Sequence, residues 1–443
     1  MKKVLVLGWD CASPQIVFEK LREELPNVRK IMEEGYFNKL LSCHPPITVP
    51  AWQVMLTGKS PAELGIYGFR ERVGYSYTEF SIVTSGDIKE KRIWDIIGEK
   101  GKKSILSGIP PTYPPFPVNG YLIPCFITPD SNRDYTYPTD LKKEIEGLVG
   151  DYPFDVKFRT DEKEKLKRDV FDMTEKHFKV FEYLLRNKEW NFAMHVEIGL
   201  DRVHHGFWRY FDPEHHLHEP DSPFKDVIPE YYKLLDKWLG RIIQLIDEET
   251  LLLVVSDHGA KRMKGAFCVN QWLEKIGYLK FKEKPKKGER IQEAKINWKK
   301  TKAWGWGGYY SRIFFNVKGR EREGIIKEKN LRKEIEKLKK RIVDLRGPDG
   351  ERWDNRIYTP DELYENPKGN PSDLIVYWDN LSWRAAGTVG HDTMYLKEND
   401  TGPDDGVHDW YGIFMAYNKK ERLNFGENLE LKDVFSIIME HLR

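Results

Sequence analysis

Aspartates and histidines recur in this chain in patterns that suit ligands of a multivalent cation. Asp10 ends the run VLVLGWD, Asp201 begins DRVHH, and Asp257 and His258 are adjacent in SDHGA. A lone aspartate after a strand is commonly a helix N-cap. Several carboxylates gathered without cations would repel each other and take up protons, so the set favours a metal site. Carboxylate and imidazole ligands together suit zinc or manganese better than calcium.

The motif GLDRVHHGFW offers two histidines to one metal site. If the segment is helical, Asp201 and His205 are four residues apart and share a face, with Cβ atoms about 5–6 Å apart. His204 follows Asp201 by three residues and lies on a neighbouring face. Spacing alone therefore allows either histidine.

Other histidines compete for the remaining ligand positions. His408 stands in a loop rich in Asp and Gly, just ahead of the apolar run 412–417, and His391 in TVGHDTMY could take the same role. Three more, His215, His216 and His218, have a spacing that fits no stable ligand set. A solvated loop is expected there.

The stretch HPPITVPAWQVMLTG supplies candidate nucleophiles. Thr48 stands in a proline-bracketed turn ahead of a predicted helix, and Thr57 lies within or after that helix. A hydroxyl at a helix N-terminus is often only an N-cap. The same place also stabilises phosphate oxygens, and a metal ion lowers the pKa of a hydroxyl. The residues therefore allow either an N-cap or a nucleophile for attack on phosphorus.

Short runs rich in Val, Ile and Leu predict buried strands that would position these groups. The runs cover 3–8, 103–108, 192–198, 250–256 and 372–378. They alternate with amphipathic helical stretches such as 161–186 and 228–247. This order predicts an α/β fold with a mostly parallel central sheet and helices on both faces. Asp10, Asp201 and Asp257 would then lie just past the carboxyl ends of strands, where open α/β sheets place their sites.

The predicted core is interrupted by one insertion. The segment 281–300 is charged and poor in apolar residues, and a Lys/Glu-rich helix follows near 321–346. We therefore expect a catalytic core of residues 1–264 and 371–443, with 265–370 as an inserted cap or subdomain.

Composition narrows the classes of protein. Lys+Arg is 72 against Asp+Glu 70, so the net charge is too small to attract a nucleic-acid polymer or an anionic membrane. The four cysteines lack framework spacing, which indicates reduced thiols. No signal segment or membrane-length apolar run is found, so a soluble cytoplasmic protein is expected. Charged residues reach 32% of the chain. Because proteins of heat-adapted organisms are rich in Lys and Glu, a heat-adapted source is a hypothesis.

With these motifs, the chain resembles the alkaline phosphatase superfamily, and within it prokaryotic members of the type I phosphodiesterase/nucleotide pyrophosphatase family. The segments that carry the resemblance include LGWDCASP, PPITVPAWQVMLTGKSPAELGIYGF, EIGLDRVHHGFW, VVSDHGA and TGPDDGVHDWYGIF. The resemblance implies two divalent ions, zinc first and manganese as the alternative. It implies that one ion is held by Asp10, Thr48, Asp257 and His258, and the other by Asp201, His205 and His408.

The resemblance also implies a reaction. Thr48 would attack phosphorus, and water would hydrolyse the phospho-threonine, cleaving a phosphodiester or pyrophosphate bond in a small phosphate ester or nucleotide. The chain departs from the family where Leu64 replaces a histidine and LGIYGF lacks the usual asparagine. The group that contacts the non-bridging oxygen of the phosphate, and any preference for nucleotides, stay open.

Other functions remain as alternatives. With the same metals, the chain could be a phosphomonoesterase, a phosphonate hydrolase or a phosphoryl transferase of the phosphoglycerate mutase type. A binding protein without turnover is disfavoured because all seven implied positions hold competent residues. The oligomeric state is left open.

Overall fold

The computed structural model of the chain describes residues 2–443. Contacts within the chain group them into two compact units. The first unit comprises residues up to 64, 83–261 and 408–443, and the second comprises 65–82 and 262–407.

Strands and helices alternate through most of the chain. The strands are β1 (Lys3–Trp9), β2 (Tyr36–Leu41), β3 (Arg70–Arg72), β4 (Phe80–Ile82), β5 (Ser104–Ser107), β6 (Gly120–Ile123), β7 (Phe192–Glu197), β8 (Thr250–Val255), β9 (Gly259–Arg262), β10 (Ala266–Cys268), β11 (Ala303–Trp306), β12 (Ser311–Phe315), β13 (Arg356–Tyr358), β14 (Leu374–Tyr377), β15 (Arg384–Ala386), β16 (Tyr395–Leu396), β17 (Gly406–Asp409), β18 (Tyr411–Tyr417) and β19 (Leu429–Glu430). The helices are α1 (Pro26–Glu34), α2 (Thr48–Thr57), α3 (Pro61–Leu64), α4 (Ile93–Gly98), α5 (Leu141–Val149), α6 (Lys163–Asn187), α7 (Gly199–Phe211), α8 (Val227–Leu245), α9 (Val269–Lys275), α10 (Glu328–Val343), α11 (Pro360–Leu363) and α12 (Leu431–His441).

The first unit is built on an eight-stranded sheet in the order β19-β2-β18-β8-β1-β7-β5-β6. Strand β1 pairs in parallel with both β7 and β8, and β5 pairs in parallel with β6 and β7. Only β18 runs against its neighbours, pairing antiparallel with β2 and β8. The predicted mostly parallel central sheet is confirmed.

Both faces of this sheet are covered. Along β1, Leu5 and Leu7 join an apolar cluster that includes residues of α1, α6, α7 and α8. Val4 and Val6, between them, join a second cluster with residues of α2, α4 and α12. Successive side chains of a strand point to opposite faces, so a strand buried on both faces must be apolar throughout. Helices on both faces are therefore confirmed as well.

The second unit has antiparallel sheets of its own and a core rich in tryptophan and phenylalanine. Its four-stranded sheet has the order β11-β12-β14-β13. The apolar run at 372–378 forms β14, which pairs antiparallel with β12 and β13 and is not part of the central sheet. Residues 371–407 therefore pack with the second unit, whereas the sequence places the return to the catalytic core at 371. Residues 65–82 also belong to the second unit, which differs from the expected single insertion of 265–370.

Two further features bear on the sequence expectations. No helix in residues 2–443 combines the length and the apolar character that a membrane crossing requires. The four cysteines are free thiols.

Candidate active site

Three neighbouring parallel strands deliver the three aspartates to one edge of the sheet. Asp10 follows the last residue of β1, Asp257 lies two residues past β8, and Asp201 lies in the first turn of α7, just after β7. Because β7, β1 and β8 are adjacent and parallel, their carboxyl ends coincide. All three carboxylates are buried.

Asp10, Asp257 and His258 form one group of candidate ligands. His258 Nε2 lies 3.1 Å from Asp257 Oδ2 and 3.9 Å from Asp10 Oδ1. Trp52 Nε1 donates a hydrogen bond to Asp10 Oδ2 at 2.7 Å, and the Cys11 backbone N–H donates to Asp257 Oδ1 at 3.2 Å. Within residues 2–443, Asp10 Oδ1 and Asp257 Oδ2 are buried without a hydrogen-bond partner. Buried carboxylate oxygens in this state call for a cation.

Asp201, His205 and His408 form a second group. Asp201 Oδ1 lies 3.1 Å from His205 Nε2 and 3.7 Å from His408 Nε2. Arg202 Nη1 donates to the other oxygen of Asp201 at 2.7 Å. The rings of His258 and His408 stack with their centroids 3.7 Å apart, which joins the two groups into one centre.

Backbone carbonyls set the tautomers of two histidines. The Nδ1 atom of His408 lies 2.8 Å from the carbonyl oxygen of Pro46, and that of His258 lies 3.1 Å from the carbonyl of Gly259. A carbonyl only accepts, so Nδ1 carries the hydrogen and Nε2 presents its lone pair to the carboxylates. Burial lowers the pKa of both rings, which keeps them neutral. Neutral imidazole is the form that binds metal.

The pKa values of the three carboxylates are displaced in opposite directions. Burial, followed by repulsion from neighbouring carboxylates, raises the pKa of Asp10 and of Asp257 well above the ordinary value of 3.8. Burial also acts to raise the pKa of Asp201, but attraction to His205 and to Arg202 outweighs it and holds that pKa well below 3.8. Protons on Asp10 and Asp257 would reduce the repulsion between the carboxylates, and bound divalent cations would reduce it in the same way.

Thr48 is the first residue of α2, and among the seven implied residues it alone is not fully buried. Its Oγ1 lies 3.3 Å from His258 Nε2. The N-cap of this helix, Ile47, provides no side-chain cap. Thr57 ends the same helix and donates its hydroxyl to the Gln53 carbonyl at 2.6 Å. At about 1.5 Å rise per residue, the two threonines lie roughly 13 Å apart, so Thr57 is remote from the centre.

The remaining histidines lie elsewhere. His204 is buried against α8, where its Nε2 lies 3.2 Å from Tyr232 Oη, and burial lowers its pKa to about 3. His391 lies in the second unit, with Nε2 at 2.8 Å from Thr388 Oγ1. The rings of His215 and His216 stack on each other in the segment between α7 and α8. Among the described residues, neither these histidines nor His205 belong to a group of three or more ligand atoms that all lie within 4.8 Å of one another. His205 is connected to the centre through Asp201.

Sequence reasoning missed two features of the first unit. Cys11 Sγ lies among ligand atoms of Asp201, His258 and His408, all within 4.8 Å of one another. A separate buried cluster joins His177 to two polar residues of β7, His195 and Glu197. The second had a visible signal, because FAMHVEI places His and Glu in a run that otherwise predicts a buried strand.

Comparison with known proteins identifies relatives of this architecture. A family model described as type I phosphodiesterase / nucleotide pyrophosphatase matches residues 4–407. A search of the curated proteins returned no match. Among solved structures, the chain is similar to phosphonoacetate hydrolase from Sinorhizobium meliloti in complex with phosphonoacetate, with TM-score 0.64 and 14% identity over 100% of this chain and 96% of that one.

Two mammalian structures are similar at the same level. Human ectonucleotide pyrophosphatase/phosphodiesterase 5 aligns with TM-score 0.57 and 15% identity, covering 100% of this chain and 95% of that one. An inactive variant of the murine protein in complex with AMP aligns with TM-score 0.57 and 14% identity over the same shares. At such identities the likeness concerns the fold.

Proposed function

Because the chain belongs to the type I phosphodiesterase/nucleotide pyrophosphatase family, we propose that it is a metal-dependent phosphohydrolase that cleaves phosphodiester or pyrophosphate bonds through Thr48. The observation that carries the proposal is the position of the Thr48 hydroxyl, half-buried and 3.3 Å from His258 Nε2. A nucleophile has to reach both substrate and metal, and Thr48 is the residue of the set placed to do so.

The proposed centre holds two divalent cations, zinc first and manganese as the alternative. Asp10, Thr48, Asp257 and His258 would hold one, and a second set would hold the other: Asp201, His205 and His408. The fit rests on the unpartnered oxygens of Asp10 and Asp257 and on the Nε2 lone pairs of His258 and His408. When bound, the cations lower the pKa of the attacking hydroxyl and offset charge on the phosphate oxygens. Three carboxylates against two divalent ions leave about one positive charge before a further anionic ligand or the substrate binds.

The residues of the chain supply the remaining steps. Thr48 Oγ1 forms a bond to phosphorus while the bond to the leaving oxygen breaks, and the leaving group departs with a proton. The first turn of α2 directs its backbone N–H groups and positive end toward added negative charge. Water then attacks the phospho-threonine, the bond from phosphorus to Oγ1 breaks, and the Thr48 hydroxyl regains its proton.

The test compares Thr48→Ala with a matched variant of the same helix, Thr57→Ala. Zinc-loaded protein is assayed on a nitrophenyl phosphate diester and on the monoester, with metal content measured in each variant. We expect Thr48→Ala to lower kcat by about 10³-fold or more, as loss of a catalytic nucleophile does. Thr57→Ala should keep its activity because its hydroxyl bonds only within the end of its own helix, to the Gln53 carbonyl and the Lys59 N–H. Full activity in Thr48→Ala with intact metal content would refute the mechanism.

The same assay separates the substrate classes. A preference for the diester that is lost in Thr48→Ala supports a phosphodiesterase acting on small esters or nucleotides. A preference for the monoester assigns the chain to the phosphatase branch. The fold likeness to phosphonoacetate hydrolase makes phosphonoacetate the third substrate. Turnover of phosphonoacetate alone would replace the diesterase proposal by a phosphonate hydrolase.

A further inference from the structure

Cys11 has a backbone conformation that is rare for a residue with a side chain. It follows Asp10 directly, its φ is 66°, and it is completely buried. Glycine reaches this left-handed region without a steric penalty, whereas a residue with a Cβ is strained there. Backbone strain of this kind persists only where the surroundings hold it, and it concentrates at functional sites.

The strained backbone delivers the thiol to the candidate metal centre. Cys11 Sγ and one ligand atom from each of Asp201, His258 and His408 all lie within 4.8 Å of one another. Tetrahedral zinc ligands at about 2.0–2.3 Å from the ion are roughly 3.3–3.8 Å apart, so small side-chain shifts bring the sulfur, Asp201 and His408 onto one ion. The thiol donates to the Gly259 carbonyl at 3.4 Å, and a thiol is a weak donor.

A second observation connects Cys11 to the other ligand group. Its backbone N–H donates to Asp257 Oδ1 at 3.2 Å, while Asp257 Oδ2 is buried without a hydrogen-bond partner among residues 2–443. Asp10 Oδ1 is in the same state. Cys11 thus orients the Asp257 carboxylate and presents its sulfur to Asp201 and His408. Beside it, one buried oxygen each of Asp10 and Asp257 lacks a counter-charge.

We propose that Cys11 is a thiolate ligand of the metal centre, contacting the cation that Asp201 and His408 hold. The inference rests on the proposed metal-dependent function. On coordination, the Cys11 S–H bond breaks, its proton leaves to solvent, and the sulfur lone pair is donated to the cation. Thiolate selects softer ions, so Cys11 would favour zinc and cobalt over manganese and magnesium.

The alternative is a small core residue, since Cys11 also packs in the apolar cluster beside α8. Cobalt distinguishes the two, because a cobalt–thiolate bond gives an intense charge-transfer band in the near ultraviolet and packing gives none. The variants are Cys11→Ser, which keeps a similar volume, and Cys11→Gly, which relaxes the backbone. Cys125→Ser is the control, since Cys125 is buried in the same unit but lies in no candidate metal cluster of the described chain.

We expect the band in cobalt-loaded wild type and in Cys125→Ser, and its loss in both Cys11 variants. The ratio of zinc to manganese affinity should fall about 10-fold or more in Cys11→Ser, a loss that even outer partners of metal ligands cause. Two results would overturn the assignment of Cys11 and leave the phosphohydrolase proposal standing. One is stoichiometric cobalt binding by wild type without the band. The other is an unchanged ratio of zinc to manganese affinity in Cys11→Ser. Failure of wild type to bind cobalt or zinc would overturn both. Cys11→Gly keeps the test decisive if the serine variant does not fold.

Discussion

His177 and Glu197 form a buried ion pair beneath the helix that carries Asp201. On α6, His177 Nδ1 lies 3.1 Å from Glu197 Oε2, and Nε2 lies 2.6 Å from the Pro153 carbonyl oxygen. Both partners accept hydrogen bonds, so both ring nitrogens donate and the imidazole is cationic. Burial acts to lower the pKa of His177, but the Glu197 carboxylate outweighs it and raises that pKa above 6.5. Burial would raise the pKa of Glu197, but attraction to His177 lowers it below 4.5.

The pair also fixes the start of α7. Glu197 Oε1 accepts a hydrogen bond from the Gly199 N–H at 2.8 Å, and Gly199 begins the helix that holds Asp201 and His205. Loss of the pair should therefore weaken metal binding as well as folding.

We predict that His177→Phe lowers the free energy of unfolding by about 3–5 kcal/mol near neutral pH, the usual cost of removing one partner of a buried ion pair. The geometry gives a similar figure, because unit charges 3.1 Å apart attract by about 5 kcal/mol at an effective dielectric constant of about 20. Phenylalanine keeps the ring that packs 4.9 Å from Tyr152. Adding Glu197→Gln, which retains an acceptor for Gly199, removes the unpaired charge and should recover part of the loss.

The pH dependence has a definite sign. The contribution of His177 is fully present below 6.5, its ordinary pKa, and is lost as pH rises through its raised folded pKa. The contribution of Glu197 is present above 4.5 and is lost as pH falls through its lowered folded pKa. The stability of wild type relative to the double variant should therefore be greatest between 4.5 and 6.5 and fall on both sides.

Urea-induced unfolding at constant ionic strength, repeated from about pH 4 to pH 9, measures these differences for wild type, both single variants and the double variant. A difference between wild type and the double variant that does not vary with pH would refute the ion pair. Single losses that simply add in the double variant would refute it equally.

Three further predictions concern the site and its support. Gly199→Ala should lower the thermal midpoint by an amount equivalent to about 1–3 kcal/mol, because its Cβ would stand 2.1 Å from Tyr231 Oη. Gly147→Ala, in α5 with open space around the position, should instead stabilise the protein by about 0.4–1 kcal/mol. Trp52→Phe keeps an aromatic ring but removes the donor to Asp10 Oδ2, so zinc affinity measured by competition should fall about 10–100-fold. Removal of bound metal by a chelator should lower the thermal midpoint, and zinc should restore it, because the metal binds only the folded centre.

Each of these predictions has a clear contrary result. Equal thermal midpoints for the Gly199 and Gly147 variants would show that Tyr231 moves away from the added Cβ without loss of stability. Unchanged zinc affinity in Trp52→Phe would show that the indole does not orient Asp10. A thermal midpoint insensitive to both chelator and zinc would argue against a metal centre in the folded protein.

The order of the apolar runs predicts the parallel centre of the main sheet and the edge on which the carboxylates meet. Apolar runs at β1, β7 and β8 end directly before or near Asp10, Asp201 and Asp257, and parallel strands bring their carboxyl ends together. The four-residue spacing of Asp201 and His205 likewise follows from helical periodicity alone. Such inferences succeed because the pattern that encodes them is local.

Contacts between distant parts of the chain select the other residues of the site and of the core. The apolar run of β14 has the composition of a central strand, yet its hydrogen-bond partners β12 and β13 lie in the second unit. His204 directs its Nε2 to Tyr232, 28 residues away, a contact that no local spacing reveals. The positive φ of Cys11 and the pairing of His177 with Glu197 also depend on groups distant in sequence. Local propensity sets the elements, whereas burial and long-range packing decide which polar groups meet.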